Sequence, residues 1–128
     1  MKLLLDTHTF IWWASEPDKL SRKALSACEN LENTLILSVV SAWEIQIKKQ
    51  LGKLSLDMPL EELIKNQQDS NNLKILPIVL KHVFTLSSLP AIHNDPFDRL
   101  LIAQANLEGL TLMTRDKTIS AYPVSTLW

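Results

Sequence analysis

Short apolar runs alternate along this chain with longer stretches in which apolar residues recur at helical spacing. The runs cover residues 3–5, 35–37, 73–76 and 110–114. A continuous apolar run such as Leu3-Leu4-Leu5 is typical of a strand that is buried on both faces. Residues 122–124 predict a further strand at one edge of the sheet. The pattern therefore predicts four to five short strands.

Helical segments occupy the stretches between these runs, and Ser, Thr or Pro stands near the start of each. Ser41 and Glu44 match the S-x-x-E capping box and predict a helix that runs to Gly52. Residues 67–72 are polar and predict a connection. The other helices are predicted to begin near Thr7, Ser21, Pro59 and Val79.

The clearest helix of the chain follows the stretch Asn94-Asp95-Pro96-Phe97-Asp98. Pro96 suits the first turn, where its missing N–H has no partner to lose, and Asp95 is then the N-cap. Asp98 lies at the capping-box position. Residues 100–107 leave hardly any polar face and Gly109 ends the helix. This helix is predicted to lie in the core.

Strands that alternate with helices indicate an α/β protein in which helices cover both faces of a parallel sheet. The chain has 128 residues and shows no repeat, low-complexity segment or linker. We therefore expect a single domain over residues 1–128.

The composition indicates the cellular compartment and excludes one kind of nucleotide-binding site. The single cysteine, Cys28, suits a reducing compartment, and neither a membrane span nor a signal peptide is recognisable. We therefore expect a cytoplasmic protein with no membrane contact. The net charge of −1 neither excludes nor indicates a nucleic-acid partner. With only two glycines and no Gly-rich phosphate motif, nucleotide binding through such a loop is excluded.

Acidic residues recur at the ends of the predicted elements. Asp6 and Asp116 directly follow predicted strands, whereas Glu44 and Asp98 lie in the first turns of predicted helices. In a parallel sheet, strand ends and the starts of the following helices share one edge, where ligands bind. These acids, from distant segments of the chain, are therefore predicted to converge.

Converging carboxylates repel one another and need a cation. Oxygen ligands suit magnesium or manganese, whereas zinc prefers histidine or cysteine. His8, His82 and His93 are scattered and show no paired ligand spacing. A divalent ion among carboxylates is typical of phosphoryl chemistry, where it activates water and stabilises charge.

These motifs resemble the PIN-domain ribonucleases, and more closely the VapC-type toxins of bacterial toxin–antitoxin pairs. The resemblance rests on Leu3-Leu4-Leu5-Asp6-Thr7-His8, Ser41-x-x-Glu44, residues 95–105, and Thr114-Arg115-Asp116, in that order. It implies a PIN-like α/β fold and a magnesium- or manganese-dependent endoribonuclease that hydrolyses RNA with a metal-activated water. It also implies a small antitoxin as partner, and a homodimer.

The family's catalytic, metal-binding acids carry over to Asp6, Glu44, Asp98 and Asp116. Asp95 is an extra acid, which we interpret as a helix cap or a support behind the ligands. Thr114 and Ser41 are candidate supporting hydroxyls. The candidates for RNA contact are Lys48, Lys49, Lys53, Arg99 and Arg115.

Each residue also has a structural interpretation. For Glu44 the structural alternative is a capping box together with an ion pair to Lys48 one turn later. Asp116 can point to solvent, the lysines can form a solvated helix face, and the arginines can form surface ion pairs. Trp12 and Trp13 are consecutive, so at least one is predicted to serve a subunit or antitoxin interface.

Other functional classes fit less well. A receiver domain requires an Asp at the end of its middle strand, and the strands at 35–37 and 73–76 have none. Aspartyl phosphotransferases require Asp-x-Asp after the first strand, where this chain has Asp6-Thr7-His8. A PIN scaffold used only for binding, and a housekeeping PIN nuclease without an antitoxin, remain as alternatives. The sequence does not define the RNA target, although a single-stranded or looped segment is favoured.

Overall fold

A computed structural model describes all residues from Met1 to Trp128. Two short 3₁₀ turns, Pro17–Lys19 and Leu86–Ser88, accompany the main elements. In chain order those elements are β1 (Lys2–Leu5), α1 (Thr7–Ser15), α2 (Arg22–Glu29), β2 (Thr34–Ser38), α3 (Val39–Gln50), α4 (Leu60–Asn71), β3 (Lys74–Leu76), α5 (Leu80–Thr85), α6 (Pro96–Glu108), β4 (Thr111–Met113), α7 (Lys117–Ser120) and β5 (Thr126–Leu127).

The strands form one five-stranded sheet in the order β3-β2-β1-β4-β5. Every neighbouring pair is parallel, and β1 at the centre pairs with β2 and β4. The predicted parallel α/β sheet is thereby confirmed. All strands consequently end at the same edge, which we call the carboxyl edge.

Alternate residues of the strands pack on opposite faces of the sheet. Leu3 and Leu5 of β1 face a core that includes Phe10 of α1 and Leu63 of α4. Leu4 faces a second core formed largely by α6, whose residues 100–105 are all buried. Helices thus cover both faces, which explains the continuous apolar runs Leu3-Leu4-Leu5 of β1 and Leu35-Ile36-Leu37 of β2. β3 at the edge of the sheet is more exposed and includes Lys74.

Two junctions place acidic residues at the carboxyl edge. Only Asp6 separates β1 from α1, and no residue separates β2 from α3. Each helix therefore begins directly above the end of its strand. None of the helices combines the length and the apolar character needed to cross a bilayer.

Several predicted boundaries are wrong. Ser41 is not an N-cap, because α3 begins at Val39 and its cap is Ser38. Residues 67–71 belong to α4, which continues to a left-handed Asn72, so they are not a connection. The edge strand is Thr126–Leu127 rather than residues 122–124.

Candidate active site

A solvent-open cavity of about 480 Å³ lies at the carboxyl edge, and carboxylates dominate its wall. We call it the acidic pocket. Trp12 is the only hydrophobic side chain of its wall. The other lining residues are Asp6, Thr7, His8, Glu44, Lys48, His93, Asp95, Asp98, Arg115 and Asp116.

Asp6 is buried at the junction of β1 and α1. Its Oδ1 accepts a hydrogen bond of 2.8 Å from the backbone N–H of Thr9, so it is the N-cap of α1. The sequence predicts a helix that begins near Thr7, and Thr7 is its first residue rather than its cap. Burial raises the pKa of Asp6, although hydrogen bonds from Thr114 and Thr9 oppose that shift.

Glu44 is buried in the second turn of α3, and both of its oxygens have partners. Thr7 donates its hydroxyl to Oε1 at 2.6 Å, and the Lys48 ammonium lies 2.6 Å from Oε2. Ser41 stands beside this contact, with its Oγ 3.2 Å from Oγ1 of Thr7. Glu44 therefore forms the ion pair with Lys48 and also lies in the wall of the acidic pocket.

Asp95 immediately precedes α6, and Asp98 lies in its first turn. Oδ1 of Asp95 accepts from the backbone N–H groups of Phe97 and Asp98, at 2.8 and 3.1 Å, so Asp95 is the predicted N-cap. Burial raises the pKa of Asp98 to about 7, with further contributions from the charges of Asp95, Glu44 and Asp6. Repulsion between the carboxylates thus adds to the effect of burial, whereas the nearby His93 opposes it.

Asp116 is the N-cap of α7, where its Oδ1 accepts from the N–H of Thr118 at 2.8 Å. Its own N–H donates to Oγ1 of Thr114 at 3.0 Å, so Thr114 supports both Asp6 and Asp116. The side chain lines the acidic pocket rather than pointing away from it. α7 itself was not predicted, because it is a single turn.

His93 belongs to the site although its spacing in the sequence did not indicate this. Its Nε2 lies 3.0 Å from Oδ2 of Asp98, and the backbone N–H of His93 donates to the Tyr122 hydroxyl at 2.7 Å. One ligand atom from each of His93, Asp98 and Asp116 lies within 4.8 Å of the others. The sequence feature that could have indicated His93 is its position two residues before the Asp95 cap. A loop that leads into a helix start lies at the same edge of the sheet as that start.

The basic candidates divide into two groups. Lys48 and Arg115 line the acidic pocket, whereas Lys49, Lys53 and Arg99 do not. Arg99 donates to the carbonyls of Pro90 and Leu86, at 2.8 and 3.2 Å. It also donates to the Tyr122 hydroxyl at 3.1 Å. Its guanidinium therefore fixes the loop before α6 instead of facing the pocket.

The model of the PIN domain matches residues 3–124 of the chain. Ribonuclease VapC22 of Mycobacterium tuberculosis is 30% identical over 121 residues, which cover 94% of this chain and 91% of the relative. The chain belongs to the PIN domain family.

Solved structures share this PIN fold. VapBC2 from Rickettsia felis, bound to a DNA fragment from its promoter, aligns with a TM-score of 0.75 and 18% identity. That alignment covers 99% of this chain and 98% of the other. A toxin–antitoxin complex from Klebsiella pneumoniae aligns with a TM-score of 0.62 and 18% identity, over 98% and 96% of the chains.

The donor set of this PIN domain suits a divalent cation. Carboxylate oxygens predominate in the acidic pocket, and repulsion from Asp95, Glu44 and Asp6 adds to the burial that raises the pKa of Asp98. Lys48 neutralises one of them, Glu44. Such oxygens favour magnesium or manganese, and the imidazole of His93 adds one nitrogen donor.

Proposed function

We propose that this chain is a metal-dependent endoribonuclease and the toxin of a toxin–antitoxin pair. The acidic pocket at the carboxyl edge carries the proposal, because its excess of carboxylates over lysine and arginine side chains suits a divalent ion and phosphoryl chemistry. The similarity to a ribonuclease of the same family supports RNA as the substrate. Since none of the family's acids is missing, a scaffold used only for binding is disfavoured.

Asp6, Glu44, Asp98 and Asp116 are the proposed ligands, and His93 joins them beside Asp98. A divalent cation held there supplies activation of water and neutralises charge on the scissile phosphate. The protein orients the ligands in advance. Thr7 and Lys48 fix the two oxygens of Glu44, and the N–H of Thr9 fixes Oδ1 of Asp6.

Cleavage of RNA tests the proposal directly. Purified protein with magnesium or manganese should cut RNA, and EDTA should abolish cleavage. Asp98→Asn should lower the cleavage rate by about two orders of magnitude or more, because a charged ligand is lost. Asp57→Asn is the matched control, since Asp57 is exposed and outside the acidic pocket. Cleavage in EDTA, or normal cleavage by Asp98→Asn, would refute the assignment.

The proposed antitoxin places a basic side chain in the acidic pocket. The carboxylates can accept two parallel hydrogen bonds from an arginine, and this bidentate pair is the strong form of contact between a basic side chain and a carboxylate. Expression of the chain alone should slow growth, and co-expression of the adjacent reading frame should restore it. Normal growth with the wild-type chain alone contradicts the toxin role.

The proposed homodimer is a separate question of assembly. Leu80 and Phe84 of α5 are 70% and 67% exposed, so this helix leaves an apolar surface uncovered. Light scattering during gel filtration should give about twice the mass of one chain. A mass equal to one chain at micromolar concentration contradicts a stable dimer.

A further inference from the structure

Arg115 is the one guanidinium in the wall of the acidic pocket, and it has no polar partner in the structure. It forms no salt bridge and donates no hydrogen bond. Lys48, the other lysine or arginine of the wall, is already paired with Glu44 at 2.6 Å. All five guanidinium N–H donors of Arg115 are therefore available to an external ligand.

Trp12 determines where this guanidinium lies. Cζ of Arg115 lies 5.4 Å from the centroid of the Trp12 ring, which is a cation–π contact. The ring is held in turn by His8, at 5.8 Å between centroids, and by Trp128, at 6.0 Å. Arg115 is exposed and shares the pocket wall with several carboxylates, yet its guanidinium contacts the Trp12 ring and pairs with none of the acids.

The topology brings these residues together. His8 and Trp12 are four residues apart on α1, so they share the face of the helix that borders the acidic pocket. Arg115 follows β4, and Trp128 follows the neighbouring strand β5. The contact between Arg115 and Trp12 is therefore positioned by α1 and by the ends of two paired strands.

We propose that Arg115, positioned by Trp12, is a phosphate anchor that holds RNA at the mouth of the acidic pocket. This inference rests on the proposed ribonuclease function. A pocket lined by carboxylates repels the RNA backbone, so a cation at its mouth is needed to bring the strand in. A planar guanidinium with free donors binds phosphate oxygens in a bidentate manner. Trp12 acts as a positioning residue, because it keeps Arg115 from pairing with a neighbouring carboxylate.

Binding of RNA in EDTA to the Asp98→Asn protein tests this anchor without cleavage. The probe is a fluorescent single-stranded RNA of about 12 nucleotides, and the readouts are Kd and its salt dependence. Arg115→Gln should weaken binding about tenfold and reduce the slope of log Kd against log salt by about 0.7, the value for one phosphate contact. Arg115→Lys should keep the slope because it keeps the charge.

The role of Trp12 is tested by a double-mutant cycle. Trp12→Leu should weaken RNA binding, whereas Trp12→Phe should retain most of the affinity. The double variant Trp12→Leu, Arg115→Gln should bind RNA no more weakly than Arg115→Gln alone. Additive losses would show that Trp12 does not act through Arg115 and overturn its positioning role. Arg22→Gln is the control, because Arg22 is exposed and outside the acidic pocket.

The outcomes separate this anchor from the nuclease assignment. If the wild type cuts RNA while Arg115→Gln leaves Kd and the salt slope unchanged, the anchor is wrong and the nuclease assignment stands. An Arg115 that instead binds an acidic group of a protein partner gives that same result. If the wild type cuts no RNA and the Asp98→Asn protein binds none at low salt, both proposals fail.

Discussion

At the scale of one residue, Asp98 shows how burial and neighbouring charges together disfavour an ionised carboxylate in the acidic pocket. Its carboxylate is partly buried, faces the charges of Asp95, Glu44 and Asp6, and has an imidazole 3.0 Å away. The ionised form is disfavoured enough to raise the pKa to about 7. In the absence of metal, a proton therefore takes part of the role that a cation is proposed to fill.

This raised pKa predicts an unusual dependence of stability on pH. An unfolded aspartate has a pKa of about 3.9, so between about pH 4 and about pH 7 the folded state binds more protons than the unfolded state. The free energy of unfolding of the metal-free protein should therefore fall as the pH rises through this window. Asp6, whose pKa is also raised, contributes in the same direction. Urea unfolding in EDTA at about pH 5 and about pH 8 measures the difference.

The Asp98→Asn protein is the control for this effect. It lacks the group that titrates near neutrality, so its free energy of unfolding should change less between the two pH values. An equal pH dependence in both proteins would show that Asp98 ionises normally. The interpretation of the pocket as a site of unbalanced charge would then lose its main support.

At the scale of elements, the start of α3 decides where Glu44 lies. Ser38 ends β2 and also caps α3, since its Oγ accepts from the N–H of Val40 at 3.0 Å. The same hydroxyl donates to Oε1 of Gln104, a buried side chain of α6. Ser38 thus fastens α3 to the helix that carries Asp98.

Two serine variants distinguish this observed cap from the predicted one. Ser38→Ala should lower the free energy of unfolding by about 1–3 kcal/mol, because it removes a helix cap and leaves the buried Oε1 of Gln104 without its donor. Ser41→Ala should have a smaller effect, since its hydroxyl has only the 3.2 Å contact with Thr7. Chemical denaturation of both variants measures the losses. A larger loss for Ser41→Ala would restore the capping box predicted from the sequence.

The sequence predicted the elements better than the junctions between them. The central strands β1 and β2 were recognisable because burial on both faces requires continuous apolar runs, and Asp95 was recognisable because Pro96 follows it. The start of α3 was not, since Val39 and Val40 are β-branched and continue the appearance of a strand. His93 lies in a loop, where periodicity carries no information about which side chains meet.

At the scale of the whole molecule, charge is distributed unevenly. The net charge is −1, yet the acidic pocket gathers Asp6, Glu44, Asp95, Asp98 and Asp116. The topology causes this, because a parallel sheet brings strand ends and helix starts to one edge. The sequence therefore predicted which acids converge, although only the structure shows which ligand atoms are close enough to share an ion.

A metal that binds only the folded form should stabilise the whole molecule. Manganese at about a hundredfold excess over its Kd should raise the free energy of unfolding by about 2.7 kcal/mol. Asp6→Asn should gain much less, because it lacks a charged ligand. In EDTA this variant should instead unfold at a higher temperature than the wild type, since burial disfavours the charge of Asp6. Asparagine caps helices about as well as aspartate, so the contact with the N–H of Thr9 can persist.

Thermal melts of the wild type and Asp6→Asn, each with EDTA and with manganese, decide the matter. Asp57→Asn serves as the control, because removing an exposed charge outside the acidic pocket should change neither melt. If Asp6→Asn melts well below the wild type in EDTA, the hydrogen bonds of the Asp6 carboxylate outweigh the cost of burying its charge, and Asp6 is structural. If manganese raises both proteins equally, Asp6 is not a ligand. Asp98, Asp116 and His93, whose ligand atoms lie within 4.8 Å of one another, would then remain as the metal site without it.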